Sequence, residues 1–335
     1  MRAIVQQEYG PHREVLHVRD IPPPVAGPGQ VLVRVRATSV HADVWHAVNG
    51  IPYVLRLMGS GVRVPRQQVP GTDFAGEVVS AGGTRFTPGD RVFGEVTRRN
   101  QWGNAGTFAE FASVDETLLA RIPPDLSFDQ AAAVPTAALI ALMNLRDQGR
   151  VSAGQHVLVN GAAGSVGVWA VQLAKAFGAQ VTAVDAPAKL DLLSDLGADH
   201  VIDYTQQDFS RMGARYDVVF DIVSQAPFSQ VRQALKPEGT FVLVGHDQYG
   251  RSGHRVLGSL GRMLPLMAMS PVVRQLPGIR SGPPREENWA TIVDLLGAGQ
   301  IRPVVDQRTF PFEEAAAAID YIMTGAAMGR VVLRV

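Results

Sequence analysis

Seven consecutive residues, Gly161-Ala162-Ala163-Gly164-Ser165-Val166-Gly167, carry almost no side-chain bulk. Backbone so bare can approach a diphosphate closely, and the unpaired N–H groups of a helix start, with its dipole, favour negative charge. Asp185 follows at about the 20-residue distance where an acidic residue accepts from the ribose hydroxyls of a dinucleotide. The fit to G-x-G-x-x-G is partial. Gly164 and Gly167 match the last two glycines, Ala162 stands where the first is expected, and Gly161 is one position early. A bare G-x-x-G is weak evidence, so the weight rests on the elements around it.

Those elements are in place. His156-Val157-Leu158-Val159-Asn160 has the β-branched, apolar character of a buried parallel strand. Val166, Ala170, Leu173, Ala174 and Phe177 recur at helical spacing, and Gly178 stands where a glycine would stop the helix. Val181 to Val184 reads as a second strand, ending at Asp185. Strand, tight turn, helix and strand make a dinucleotide-binding βαβ unit. Asn160, Ala163, Gly164, Ser165, Val166, Gly167 and Asp185 are its expected cofactor contacts.

At 335 residues the chain is long for one core, so two domains are expected. The formal net charge is zero, which argues against a nucleic-acid or acidic-membrane partner. The first eight residues hold too short an apolar run for a signal peptide, and a cytoplasmic location is the default expectation. Val256 to Val273 is apolar, but Arg262, Pro265 and Pro271 interrupt it; a buried helix or interface hairpin is expected there rather than a membrane span. The chain has no cysteine. Disulfides and thiolate zinc sites are therefore excluded.

The first 120 residues read as β-rich. Val31, Val33 and Val35 alternate with Leu32, Arg34 and Arg36, entered through the Pro22-Pro23-Pro24 and Gly27-Pro28-Gly29 turns. Further strands are expected at Asp73–Val79, Arg91–Val96 and Thr107–Val114, as in a partly open barrel, with a short helix over Ala42–Val48. From Ser127 the pattern changes to helices and buried strands. A helix broken at Pro135 spans Ala131–Leu145, Pro187 starts a helix with Leu190, Leu193 and Leu196 on one face, and Val201-Ile202 is a short strand. Asp217–Asp221 and Thr240–Gly245 are strands flanking a Ser229–Leu235 helix and a Lys236–Gly239 turn. Such alternation predicts a parallel sheet with helices on both faces. After Pro283-Pro284 come helices near 286–298 and 312–323, then a last strand, Arg330–Val335, suited to a return to the first domain. Neither an internal repeat nor low complexity is present.

PGTDFAGEV (Pro70–Val78), FTPGDRVFG (Phe86–Gly94), the GAAGSVG unit, LGADHVIDY (Leu196–Tyr204) and GRVVL (Gly329–Leu333) together resemble the medium-chain dehydrogenase/reductase superfamily, on its zinc-independent, quinone-oxidoreductase-like branch. The resemblance covers nearly the whole chain. It implies an α/β protein: a GroES-like β-rich catalytic domain (1–124 and 281–335) and a Rossmann doubly wound parallel sheet (125–280), with the active site in the cleft between them. It also implies a homodimer, with Val256–Arg280 a candidate for the edge it uses. Zinc-dependent relatives place a Cys, a His and a Cys where this chain has His41, Thr72 and the neighbourhood of Pro135-Thr136. Two of three ligand types are missing. A rival metal set, His41, Asp43 and His46, would point in divergent directions from a helix.

Without zinc to help an alcohol lose its proton, reduction of an already electrophilic substrate is favoured. A quinone, or a C=C conjugated to a carbonyl, accepts hydride and places charge on an oxygen, where a hydrogen-bond donor lowers the barrier. NAD(P)H-dependent reduction of such small molecules is the expected activity. A zinc-dependent alcohol dehydrogenase and a non-catalytic NAD(P)H-binding protein are the alternatives. His41 takes the place where relatives often carry Asn near the nicotinamide, or is a satisfied structural histidine. Tyr53 resembles a tyrosine proton donor of some enoyl reductases, or walls the pocket; Trp45 and His46 are expected to pack or rim it. Thr136 either bonds the nicotinamide-side phosphate or ribose, or caps a helix. Tyr204 is implied near the adenine, and Val223, Val244 and Gly245 lie at the carboxyl ends of strands, where ligands bind such sheets. Arg330 reaches the cofactor or is solvated. Asp185 leans to NADH and the family to NADPH; Lys189 is the nearby cation.

Overall fold

Valines alternating along Gln30–Val40 make an eleven-residue strand with Val31, Val33 and Val35 buried, each such side chain contributing about 1.5–3 kcal/mol. Its length lets it serve three neighbours. Gln30–Arg34 pairs with Phe111–Asp115, Ala37–Val40 with the terminal strand Val331–Arg334, and the opposite edge with Asp73–Ser80. Arg91–Glu95, Leu119–Arg121 and Phe310–Pro311 complete a seven-stranded sheet. Phe74, Val78, Phe86, Val92, Val114 and Leu119 join the three valines in its core. The structure, a computed structural model, describes residues 1–96, 104–213, 215–245, 248–251, 254–278 and 282–335. Arg280, the end of the segment considered for a dimer edge, lies outside them.

Two compact units divide the chain. Met1–Thr136, Arg285–Val293 and Pro303–Val335 form the β-rich unit; Ala137–Pro284 and Asp294–Arg302 form the parallel-sheet unit. In the latter, five parallel strands run in the order His200–Asp203, Gln180–Asp185, His156–Asn160, Tyr216–Asp221, Leu235–Leu243. Strand order reverses beside His156–Asn160, and ligands bind at such switch points. Leu158, Val184, Val219, Val231 and Phe241 lie in its core. The helix Gly167–Ala176 buries Val168, Trp169, Ala170, Val171, Leu173 and Ala174. Gly178, at φ +80°, ends it by donating to the Lys175 carbonyl.

Three expectations need correction. Thr107–Val114 is not one strand: Phe111–Asp115 is. The preceding residues change partners, with Phe108 N–H donating to the Pro70 carbonyl while its own carbonyl accepts from Ile4, so no single ladder forms. Lys236–Gly239 is not a separate turn. It lies inside Leu235–Leu243 as an irregularity, where pairing jumps from Tyr216↔Leu235 to Val218↔Thr240. The 256–273 segment forms a helix, Leu260–Met269 with Pro265 inside it, but none of its residues is buried. Leu266 and Val273 pack on the unit's core while Leu264, Met267 and Met269 face outward. Among the described residues, no helix is long and apolar enough to cross a membrane.

Candidate active site

The turn after His156–Asn160 is built by its backbone. Gly161, at φ +84°, and Ala162 both donate to the Val184 carbonyl, at 3.0 and 3.1 Å. A Cβ on Gly167 would lie 2.2 Å from the Gly161 oxygen and 2.5 Å from that of Ala162, so only glycine lets the helix start this close to the turn. Gly164 differs. A Cβ there meets the Gly161 oxygen at an ordinary 3.4 Å and φ is unstrained, so internal packing does not require glycine; the bare backbone leaves outward room for a ligand. Small residues, a helix start and the switch point fit a dinucleotide diphosphate.

Asp185 is buried and turned toward this loop. Its Oδ2 accepts from the Ala163 N–H and its Oδ1 from the Ala186 N–H, both at 2.8 Å, with Lys189 Nζ 3.9 Å away. Asn160 Nδ2 donates to Asp221 Oδ1 at 2.8 Å, and so does Ser224 N–H at 3.0 Å. Burial pushes the Asp221 carboxyl up, against those hydrogen bonds. Val244 N–H donates to the Asp221 carbonyl, Gly245 follows at φ +78°, and Val223 is half-buried nearby. Tyr204 is exposed, its N–H on the Asp185 carbonyl. The parallel-sheet unit thus collects Asn160, Ala163–Gly167, Asp185, Lys189, Tyr204, Val223, Val244 and Gly245 along the carboxyl ends of its strands.

Within the β-rich unit, His41, Thr136 and Arg330 meet in one buried cluster. Its centre is Asp73, which the sequence reasoning passed over. Arg330 pairs with Asp73 Oδ2 and donates from Nε to Ser39 Oγ at 2.9 Å. Arg330 is only 2% exposed, so its reading as a solvated residue is overturned: the Asp73 carboxylate holds it inside. Thr136 Oγ1 lies 2.5 Å from Asp73 Oδ1 and 2.8 Å from Glu95 Oε2. Thr72 Oγ1 donates to Asp73 Oδ1 at 3.1 Å and faces His41 Nε2 at 2.9 Å. His41 begins the helix Ala42–Asn49, and its Nδ1 is 3.3 Å from Asp43 Oδ2. Both ring nitrogens of His41 are therefore engaged by the protein.

Burial raises the Asp43 carboxyl, but the hydrogen bond and charge of His41, with His46 and Arg330, outweigh it and hold Asp43 below the usual range. Glu95 is pushed up to about 7, chiefly by burial; Arg285 opposes this, Asp73 adds to it, and Thr136 opposes it. Tyr53 stands outside the cluster, partly exposed, with the Arg56 guanidinium 4.9 Å over its ring. Trp45 and His46 are buried, His46 Nδ1 donating to the Ile51 carbonyl at 2.6 Å. Two signals could have revealed the cluster. Asp73 and Glu95 are buried acids at the ends of their strands, and buried charges require partners. A zinc ion does not fit this donor set: threonines stand where thiolate and imidazole ligands would be needed. Among the described residues no group of three or more His, Cys, Asp or Glu could hold a metal.

Comparison with known proteins agrees with both halves. The alcohol dehydrogenase GroES-like domain family matches residues 27–124, and the zinc-binding dehydrogenase family matches 196–333. The chain is 34% identical to 2-methylene-furan-3-one reductase of Solanum lycopersicum, over 91% of this chain and 71% of that protein. It is 30% identical to a chloroplastic quinone-oxidoreductase of Triphysaria versicolor, over 99% and 98%. Among solved structures, a mycobacterial protein complexed with NADPH superposes with a TM-score of 0.78 at 25% identity, covering 100% of each chain. The chain belongs to the medium-chain dehydrogenase/reductase superfamily, on its quinone-oxidoreductase-like branch.

Proposed function

We propose that this chain is an NADPH-dependent reductase of quinones or α,β-unsaturated carbonyl compounds, acting without zinc. The observation that carries the reading is the Gly161–Gly167 turn, where one glycine is dictated by chain packing and the next leaves room for a ligand. The substrate class is supported by the two curated relatives and by a thiolate-free donor set, which favours electrophilic acceptors over alcohols. When bound, the nicotinamide supplies hydride to the acceptor carbon.

The protein's own task is to hold the cofactor and to give a proton where charge develops on the substrate oxygen. Ala163–Gly167 and Asn160 hold the diphosphate side. NADPH is the cofactor because each Asp185 oxygen already accepts a backbone N–H, and Lys189 offsets its charge. With both His41 nitrogens occupied, Tyr53 is the proton donor, and His41, its ring held by Thr72 and Asp43, forms the wall against which the nicotinamide is placed. Replacing Tyr53 with Phe should lower kcat by about 10²–10⁴; an unchanged kcat removes Tyr53 from the chemistry.

The test is turnover of NADPH and NADH over a panel of quinones, enones and enoyl thioesters, with both dissociation constants measured for wild type and Lys189→Ala. NADPH consumption, and a preference for NADPH that shrinks in the variant, are expected. Cofactor binding without turnover across the panel contradicts the reductase reading, and an unmoved preference contradicts the role of Lys189.

A further inference from the structure

The buried cluster supplies one hydroxyl for two carboxyl groups. Thr136 Oγ1 is within hydrogen-bond distance of Asp73 Oδ1 and of Glu95 Oε2, yet a hydroxyl has a single proton to give. Both contacts are hydrogen bonds only when one carboxyl brings a proton of its own. Asp73 is poorly suited to do so. Arg330 is paired with it, and Thr72 Oγ1, Ser39 Oγ and the Thr136 N–H all donate to it, so its oxygens are already taken up as acceptors.

Glu95 is better suited. It ends the Arg91–Glu95 strand at 2% exposure. The groups facing it are Arg285, from the Arg285–Gly297 helix, on its Oε1, and Asp73 and Thr136 on the side of its Oε2, with Arg330 beyond Asp73. Burial and the neighbouring Asp73 charge keep the acid protonated toward neutrality against the pull of Arg285. The directions then agree along the whole line: Glu95 donates to Thr136, Thr136 to Asp73, and Thr72 to Asp73 with His41 behind it.

We propose that Glu95 is a positioning residue for the reduction: as a neutral acid it turns the Thr136 hydroxyl onto Asp73, and through Asp73 and Thr72 it fixes the ring of His41. This rests on the reading of the chain as a reductase. Once Glu95 ionises, two carboxylates compete for one hydroxyl proton, Thr136 can serve only one, and the line to His41 loses a member. Catalytic efficiency then falls on the alkaline side although Glu95 itself touches no substrate.

Glutamine at this position mimics the neutral acid and cannot ionise. Its amide oxygen can accept from Arg285 and its NH2 can donate to Thr136. The experiment is the pH profile of kcat/KM for wild type, Glu95→Gln and Glu95→Ala, with the thermal midpoint of each followed over the same range. Wild type should lose about fivefold or more in kcat/KM between about pH 6 and 8.5, while Glu95→Gln stays within about twofold of its own acid-side value. Glu95→Ala, which has no donor, should be low throughout. The wild-type midpoint should fall with rising pH more steeply than that of Glu95→Gln.

A Glu95→Gln profile with the same alkaline fall as wild type overturns the proposal, as does a wild-type profile that is flat. A merely structural role would lower activity by one factor at every pH in both variants. Failure of the underlying reading looks different: wild type then turns over no acceptor at any pH, while the midpoints still report whether Glu95 holds a proton.

Discussion

The two units neutralise buried acid groups in opposite ways. In the parallel-sheet unit, Asp185 is met mainly by backbone N–H groups, those of Ala163 and Ala186, with Lys189 at the margin of ion-pair distance. In the β-rich unit, Asp73 is met mainly by side chains, those of Arg330, Thr136 and Ser39 from remote segments and that of its neighbour Thr72. Backbone donors come with the turn and cost little to organise. A buried guanidinium is different: it is tolerable only while its carboxylate stays in place. The difference separates a loop shaped to receive a ligand's charge from a cluster that keeps its own charges locked against one another.

Removing one acid from each unit tests that contrast most strongly. Asp73→Ala removes the buried carboxylate paired with Arg330 and should lower unfolding free energy by about 3–5 kcal/mol. Asp185→Ala removes hydrogen bonds to two backbone donors and should cost about 1–3 kcal/mol. Chemical denaturation of both variants checks the order; equal losses would break the contrast.

Glu95 sharpens it next. Its folded value, about 7, lies above its ordinary 4.5, so the folded chain binds more protons than the unfolded chain between those values. The stabilisation is fully present below the ordinary value and is lost as pH rises through about 7. At about 1.4 kcal/mol per unit, the change is at most about 3.5 kcal/mol, read from denaturation at a series of pH values. A rise in stability over that window, with Glu95→Gln as control, would contradict the assignment.

Within the parallel-sheet unit, the two glycines of the turn separate packing from binding. Gly167→Ala drives a Cβ into the Gly161 and Ala162 oxygens and should cost about 1–3 kcal/mol along with cofactor binding. Gly164→Ala should change stability by about 0.5 kcal/mol or less, while weakening NADPH by about tenfold, measured by fluorescence titration. If Gly164→Ala binds NADPH as wild type does, the diphosphate does not lie against that residue.

The glycine turn was legible because its evidence is local: strand, turn, helix and second strand occupy His156–Asp185 without interruption. The partner of Asp185 was not legible, since spacing places an acid near the cofactor but does not say which way it turns. The Asp73 cluster was harder still. His41, Asp73, Glu95, Thr136, Arg285 and Arg330 are scattered along the chain, and only sheet pairing and three helix starts, at His41, Thr136 and Arg285, bring them together. Asp73 lies inside PGTDFAGEV, but nothing in that motif says which remote side chains meet its carboxylate. The Leu260–Met269 helix shows a different limit: hydropathy identifies an apolar run but not what, if anything, of the same chain covers it.

The most direct measurement follows the hydride. Purified protein is given NADPH carrying deuterium at the transferable C4 position and an α,β-unsaturated ketone, and the product is examined by mass spectrometry and NMR. One deuterium at the β-carbon of the saturated product is the predicted result. Cofactor that binds with its label retained and an acceptor that returns unchanged would contradict the assignment of this chain as a reductase.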